Sequence, residues 1–251
     1  MIQKTALITG ATSGIGEATA KVFAKNNIRL ILCGRRDDRL QKLKNELQTQ
    51  TEVHTLCFDV RNRENVFSQI NSLPDNFKQI DILINNAGNA HGLDSLQNGN
   101  IDDWDAMIDS NVKGLLYVSK AIIPRMIEQQ RGHIINIGSV AGKEVYPNGN
   151  VYCASKFAVD ALSQGMRMDL YKNNIKVSAI NPGMVETEFS LVRFKGDEQR
   201  AKQVYADLQA LTAHDIAECI WFVISRPAHV NIADLLVFPA AQAAATQVNR
   251  S

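Results

Sequence analysis

Residues 5–16 read TALITGATSGIG, a short apolar run that ends in a turn carrying Gly10, Gly14 and Gly16 and passes into an amphipathic stretch. An apolar run without polar alternation is the pattern of a strand buried on both faces. Glycines after such a strand let the backbone turn tightly. The helix that follows offers unpaired N–H groups and the positive end of its dipole to an anion such as the pyrophosphate of a dinucleotide. The spacing departs from GxGxxG, so this turn by itself also fits a purely structural strand-to-helix connection.

Similar runs recur along the chain: RLILC (29–33), VHTLCF (53–58), DILIN (81–85), HIINI (133–137), KVSAI (176–180) and LLVF (235–238). Between them lie helical patterns at 14–26, 38–48, 62–72, 101–129, 151–171 and 212–225, the last opened by capping-box spacing of Thr212 and Asp215. The alternation predicts an α/β, doubly wound (Rossmann) fold with a mainly seven-stranded parallel sheet and helices on both faces. No linker or repeat divides residues 1–251, so one domain is expected. The polar segment 186–211 interrupts the alternation beyond a strand end, where such folds bind ligands, and is expected to be a substrate lid.

Charge narrows the partners. With 27 basic against 26 acidic residues the net charge is +1, and no basic run marks a nucleic-acid or membrane footprint. A small-molecule substrate is expected, with no nucleic acid and no membrane. The first apolar run is too short for a signal peptide or a membrane span, which points to a cytoplasmic location. Cys33, Cys57, Cys153 and Cys219 form no CxxC pair, and the five histidines show no ligand spacing, so no metal is expected. Only His91 sits in a loop able to approach a ligand.

The second strand ends in LCGRRDD (32–38). A site for NAD usually places an acid there for the ribose 2′-hydroxyl. Here Gly34 leaves that place open, and Arg35 with Arg36 can meet a 2′-phosphate through charge-assisted hydrogen bonds, which favours NADP(H). The alternative at this point is a solvated loop whose arginines answer Asp37 and Asp38. Asp59 in CFDV (57–60) either accepts from an adenine amino group or caps the next turn.

Farther on, NNAG (85–88) closes the fourth strand and NIGSVAG (136–142) sets Ser139 at the end of the fifth. Asn111 falls inside a helical pattern, where Asn has poor propensity, and is therefore expected either to hydrogen-bond or to mark a local distortion. In VYCASKFAVD (151–160), Tyr152 and Lys156 are four apart and share one helix face.

In order and spacing these motifs, TGATSGIG, NNAG, Asn111, Ser139 and YCASK, resemble the short-chain dehydrogenase/reductase family across essentially the whole chain. The resemblance implies that Gly10, Thr12, Ser13, Gly14, Ile15 and Gly16 hold the pyrophosphate end of NADP. Arg35, Arg36, Asp59 and Val60 would hold its adenosine. Asn86, Ala87, Gly88, Tyr152, Lys156, Pro182, Gly183, Val185 and Thr187 would flank its nicotinamide half. It implies Tyr152 as proton donor and acceptor, Ser139 bonded to the reacting oxygen, Lys156 on the nicotinamide ribose, and Asn111 positioning a water that relays protons. A free Tyr has a pKa of about 10. One positive charge at about 4 Å, with an effective dielectric near 20, lowers that by nearly three units. Lys156 is expected to supply that charge. A homotetramer is also implied.

Within the family, DVRNR (59–63), EFSLVRFKGD (188–197) and PAHVNI (227–232) are similar to bacterial NADP-dependent 3-hydroxy-acid (serine/allo-threonine) dehydrogenases. The resemblance implies oxidation of serine, allo-threonine or 3-hydroxyisobutyrate-type acids to 3-oxo acids. A buried carboxylate needs a cation. Arg193 suits bidentate binding better than Lys195, and Phe189, Phe194 and Tyr146 are candidates for the apolar wall. An NADPH-dependent reductase of another small aldehyde or ketone is the alternative, and a non-catalytic NADPH-binding regulator a further one.

Overall fold

The computed structural model describes residues 3–250. Chain order is β1 (Thr5–Thr9), α1 (Gly14–Lys25), β2 (Arg29–Gly34), α2 (Asp37–Leu47), β3 (Val53–Cys57), α3 (Arg63–Asn71) and β4 (Ile82–Asn85). Then follow α4 (Ile101–Ile108), a π-helical turn (Asp109–Gly114), α5 (Leu115–Gln129), β5 (Gly132–Ile137), α6 (Asn150–Leu170) and β6 (Ile175–Pro182). Last come β7 (Val185–Glu186), α7 (Phe189–Arg193), α8 (Glu198–Gln203), β8 (Leu211–Thr212), α9 (Ala213–Ile224) and β9 (Asp234–Val237).

Seven strands form one sheet in the order β3-β2-β1-β4-β5-β6-β9, every neighbour parallel. The apolar runs of β1, β2, β4, β5 and β6 have the burial they imply, whereas the edge strands β3 and β9 are only partly covered. In β1, Ala6 and Ile8 join the core under α1 and α9, while Leu7 points to the opposite core with Val118, Ile122 and Met126 of α5. Strand order reverses between β1 and β4, and the crevice opened there, at the carboxyl ends of the strands, is where doubly wound sheets take ligands.

The helical pattern at 101–129 is one continuous path, but it widens into the π turn at Asp109–Gly114. Single π turns inside helices re-aim side chains and concentrate at functional sites. Thr212 and Asp215 close a complete capping box at the start of α9. The 186–211 segment is less irregular than its sequence suggests. The short parallel pair β7-β8 brackets it, and α7 and α8 lie within.

Candidate active site

A cleft of about 570 Å³ runs along the carboxyl ends of the central strands. At one end, the glycine turn brings β1 into α1. Gly10 has φ +64°, and a Cβ there would stand 2.8 Å from Asn86 Nδ2, so only glycine fits. Asn86 in turn donates to the carbonyls of Thr9 and Gly10 at 2.9 and 3.2 Å, clamping the turn to the end of β4. The N-cap of α1, Ser13, makes no side-chain cap bond, and Gly14 and Ile15 line the cleft. An uncapped helix start of this kind is a ready anion site, so the residues present fit a dinucleotide pyrophosphate. Gly16 lies behind the wall; its missing Cβ lets α1 approach Gly10.

Arg36 forms part of the cleft wall. Its Nη2 donates to Thr12 Oγ1 and Ser13 Oγ, each at 3.0 Å, and its Nη1 donates to Glu188 Oε2 at 3.0 Å. Arg35 is 62 % exposed at its side chain, with Nη1 3.8 Å from Asp59. The arginines therefore answer Glu188 and Asp59, not Asp37 and Asp38. Asp59 caps the following turn by accepting from Arg61 N at 3.0 Å, and Arg61 Nη2 donates to it at 2.7 Å. Burial opposes ionisation of Asp59, but the Arg61 bonds outweigh it and hold the carboxyl below its usual range. Val60, Ala87, Gly88, Pro182, Gly183, Val185 and Thr187 all line the same cleft.

At the other end, α6 carries Tyr152 and Lys156, both buried, and the loop after β5 carries Ser139. Lys156 Nζ lies 5.9 Å from the Tyr152 ring centroid and donates to Ile137 O at 2.9 Å. Burial lowers the Lys156 amine to about 8. Burial also pushes the Tyr152 hydroxyl well up, with Tyr146 adding to it and Ser139 and Arg193 opposing. The expected lowering of Tyr152 by Lys156 is thus absent: the ammonium is tied to a carbonyl rather than to the phenol oxygen, and the dry site disfavours both charged forms. A protonated Tyr152 facing the cleft is suited to donate a proton.

Asn111 does not line the cleft. Its Oδ1 accepts from Asn89 N at 2.8 Å, and its Nδ2 donates to Asn89 O at 2.9 Å and Ser155 Oγ at 3.0 Å. Both donors of the amide are spent inside the fold, and the Ser110 hydroxyl beside its oxygen gives its single proton to Ala106 O at 2.7 Å. Asn111 braces the π turn against the strand-end loop. Gly88 leaves the room for this: a Cβ there would be 2.9 Å from Asn111 Oδ1 and 3.8 Å from Lys156 Nζ.

Over Tyr152 lies the segment between β7 and β8. Phe189 packs on the Tyr152 ring at 5.6 Å between centroids. Arg193 Nε donates to Gly92 O and Nη2 to Tyr146 Oη, both at 3.1 Å, which places its guanidinium 5.6 Å from the Tyr152 ring centroid. Lys195 is instead paired with Asp103 at 2.9 Å. Phe194 lines the cleft wall, and so does Tyr146, with a polar role that its reading as apolar wall missed. His91 borders a shallow recess beside Arg193 and is outside the main cleft. Among the described residues no cluster of three or more His, Cys, Asp or Glu could hold a metal ion, and no helix is long and apolar enough to cross a membrane.

A family model described as short chain dehydrogenase matches residues 4–198. The chain belongs to this family. NADP-dependent 3-hydroxy acid dehydrogenase YdfG of Salmonella typhi is 47 % identical over 247 residues, covering 98 % of this chain and 99 % of its own. Sulfoacetaldehyde reductase 2 of Chromohalobacter salexigens is 45 % identical over 238 residues, 94 % of each chain. Among solved structures, the closed form of a serine dehydrogenase complexed with NADP+ superposes with a TM-score of 0.93 at 44 % identity, covering 98 % of this short-chain dehydrogenase and all of that chain.

Several participants of this dehydrogenase's cleft went unassigned in the sequence. Asn89 and Ser155 hold Asn111, and Glu188 holds Arg36 and Arg39. Ser155 stands inside YCASK, where a hydroxyl on the buried side of the helix was the available signal. Glu188 carried no local signal.

Proposed function

We propose that this short-chain dehydrogenase is an NADP(H)-dependent oxidoreductase that interconverts small 3-hydroxy acids, of the serine, allo-threonine and 3-hydroxyisobutyrate type, with their 3-oxo acids. The observation that carries the reading is the Arg193 guanidinium, held by Gly92 and Tyr146 directly above Tyr152. A cation one short carbon chain from the proton donor suits a carboxylate near the reacting carbon. When bound, the cofactor supplies the hydride. Gly10, Thr12, Ser13, Gly14 and Ile15 receive its pyrophosphate with Gly16 letting α1 pack behind them, Arg35 and Arg36 receive its 2′-phosphate, and Asp59 and Val60 its adenine. Asn86, Ala87, Gly88, Pro182, Gly183, Val185 and Thr187 flank the nicotinamide half.

In reduction, Tyr152 gives its hydroxyl proton to the carbonyl oxygen while Ser139 hydrogen-bonds that oxygen; in oxidation the proton returns to Tyr152. Lys156, whose amine is lowered to about 8, replaces the proton by way of water in the cleft and not by direct contact with Tyr152, and Asn111 holds the surrounding backbone. Phe189 and Phe194 exclude water from the acid's carbon chain, and the 186–211 segment acts as the lid of a single domain. The protein is proposed to be cytoplasmic and homotetrameric; exposed Phe157, Met168 and Tyr171 on and just after α6 support an assembly face.

A second reading has a specific observation behind it. Arg193 would bind a sulfonate as readily as a carboxylate, and the relative from Chromohalobacter is named for a sulfonated aldehyde. A purely regulatory NADPH-binding role has no use for Ser139, Tyr152 and Lys156 in one dry cleft. The test is the initial rate of nicotinamide reduction with L-serine, L-allo-threonine and 3-hydroxyisobutyrate, with NADP and NAD in parallel, beside NADPH oxidation with sulfoacetaldehyde. Turnover of the acids with NADP well above NAD is expected. Turnover of the aldehyde alone would move the substrate to the second reading, and no turnover despite NADPH binding would leave the regulator.

A further inference from the structure

Glu188 occupies an unusual place for a carboxylate. It lines the cleft, yet its Oε2 accepts from Arg36 Nη1 at 3.0 Å and its Oε1 from Arg39 Nη1 at 2.7 Å. One anion thus bridges two cations at the end of β2, where the dinucleotide's 2′-phosphate belongs on the reading above. Arg36 does not need Glu188 to hold its position, because Thr12 and Ser13 fix the same guanidinium through its other nitrogen atoms.

We infer that Glu188 is a cofactor-affinity residue: its carboxylate stands in for the 2′-phosphate on Arg36 and Arg39 and competes with it. The inference rests on the assignment of Arg36 to the 2′-phosphate. Two outcomes of 2′-phosphate binding give the same sign. A carboxylate that remains repels the phosphate, and one that leaves gives up two ion pairs. A cofactor without the 2′-phosphate meets neither cost. Glu188 therefore loosens NADP(H) selectively, which favours its exchange after turnover. Exposed pairs of this kind are individually weak, so a modest effect is expected.

The experiment is titration calorimetry of the full chain, at low salt, with adenosine 2′,5′-bisphosphate and with adenosine 5′-monophosphate, on the wild type, Glu188→Gln and Arg36→Met. Glu188→Gln should bind the bisphosphate about two- to fivefold more tightly, with the monophosphate unchanged. If Glu188→Gln binds the bisphosphate no better than the wild type while Arg36→Met loses its preference for the bisphosphate, the Glu188 inference falls and the arginine assignment stands. If all three proteins prefer the bisphosphate equally, both fall together.

Discussion

The guanidinium of Arg193 lies over the ring of Tyr152, 5.6 Å from its centroid, held in place from outside the ring by Gly92 O and Tyr146 Oη. Tyr152 and the Arg193 guanidinium are therefore fixed relative to one another by α6, the loops after β4 and before α6, and α7 together. Arg193→Ala should raise KM for 3-hydroxy acids by roughly ten- to hundredfold, the worth of a hydrogen-bonded charge, while leaving neutral alcohols of the same length nearly unchanged. Equal losses on acids and alcohols, in steady-state rates, would show Arg193 to be packing for Tyr152 and no more.

The two arginines at the end of β2 should separate by variant. Arg36 braces Thr12 and Ser13 of the glycine turn as well as facing the 2′-phosphate position proposed above, whereas Arg35 is largely free. Arg35→Ala should weaken NADP+ by about tenfold and leave NAD+ unchanged, as loss of one charge-assisted contact requires. Arg36→Met should weaken both, NADP+ more. Fluorescence titration of the two cofactors reads the difference, and an Arg35→Ala effect of equal size on NAD+ would count against the assignment.

Burial of Lys156 makes a prediction about stability against pH. Its amine is lowered from 10.5 to about 8. Between those values the unfolded chain binds a proton that the native chain lacks, so this group's contribution to stability grows as pH rises and is lost as pH falls toward 8. The shift is worth about 3 kcal/mol. Lys156→Met removes it, so its stability relative to the wild type should be greatest below pH 8 and decline toward pH 10.5. Tyr152, raised by burial, destabilises at higher pH but does so in both proteins and cancels. Urea unfolding of both proteins from pH 7 to 10.5 measures the gap; a constant gap would mean that Lys156 titrates normally.

Asn111 should behave as a brace. Asn111→Ala leaves the Asn89 N–H and carbonyl and the Ser155 hydroxyl without their partner. A cost of about 1–3 kcal/mol in stability is expected, together with a lower kcat and little change in NADP+ affinity. Thermal unfolding beside steady-state kinetics tests this, and unchanged stability with lost kcat would favour a direct role in proton movement instead.

The fold was legible because the seven strands of its sheet are written as apolar runs, and because Thr212 and Asp215 spell out a helix start. Asn111 announced a distortion through its poor helix propensity, and the π turn is that distortion. Its three hydrogen bonds to Asn89 and Ser155 were not legible, since those residues arrive from other elements. The Tyr152 and Lys156 pair was found by spacing, but spacing carries no information about dielectric. Burial moved both groups in the direction opposite to the one a solvated charge pair predicts. Glu188 meets Arg36 across 152 residues of sequence, beyond the reach of any local pattern.

Everything proposed for the reaction converges on the hydroxyl of Tyr152. The decisive comparison is turnover of the best 3-hydroxy acid by wild type and Tyr152→Phe, with NADP+ affinity measured on the same samples. Loss of the proton donor and acceptor alone should lower kcat by about 10²–10⁴-fold, with NADP+ affinity within about twofold of the wild type. Turnover by Tyr152→Phe within a factor of a few of the wild type would contradict the mechanism, whatever the substrate.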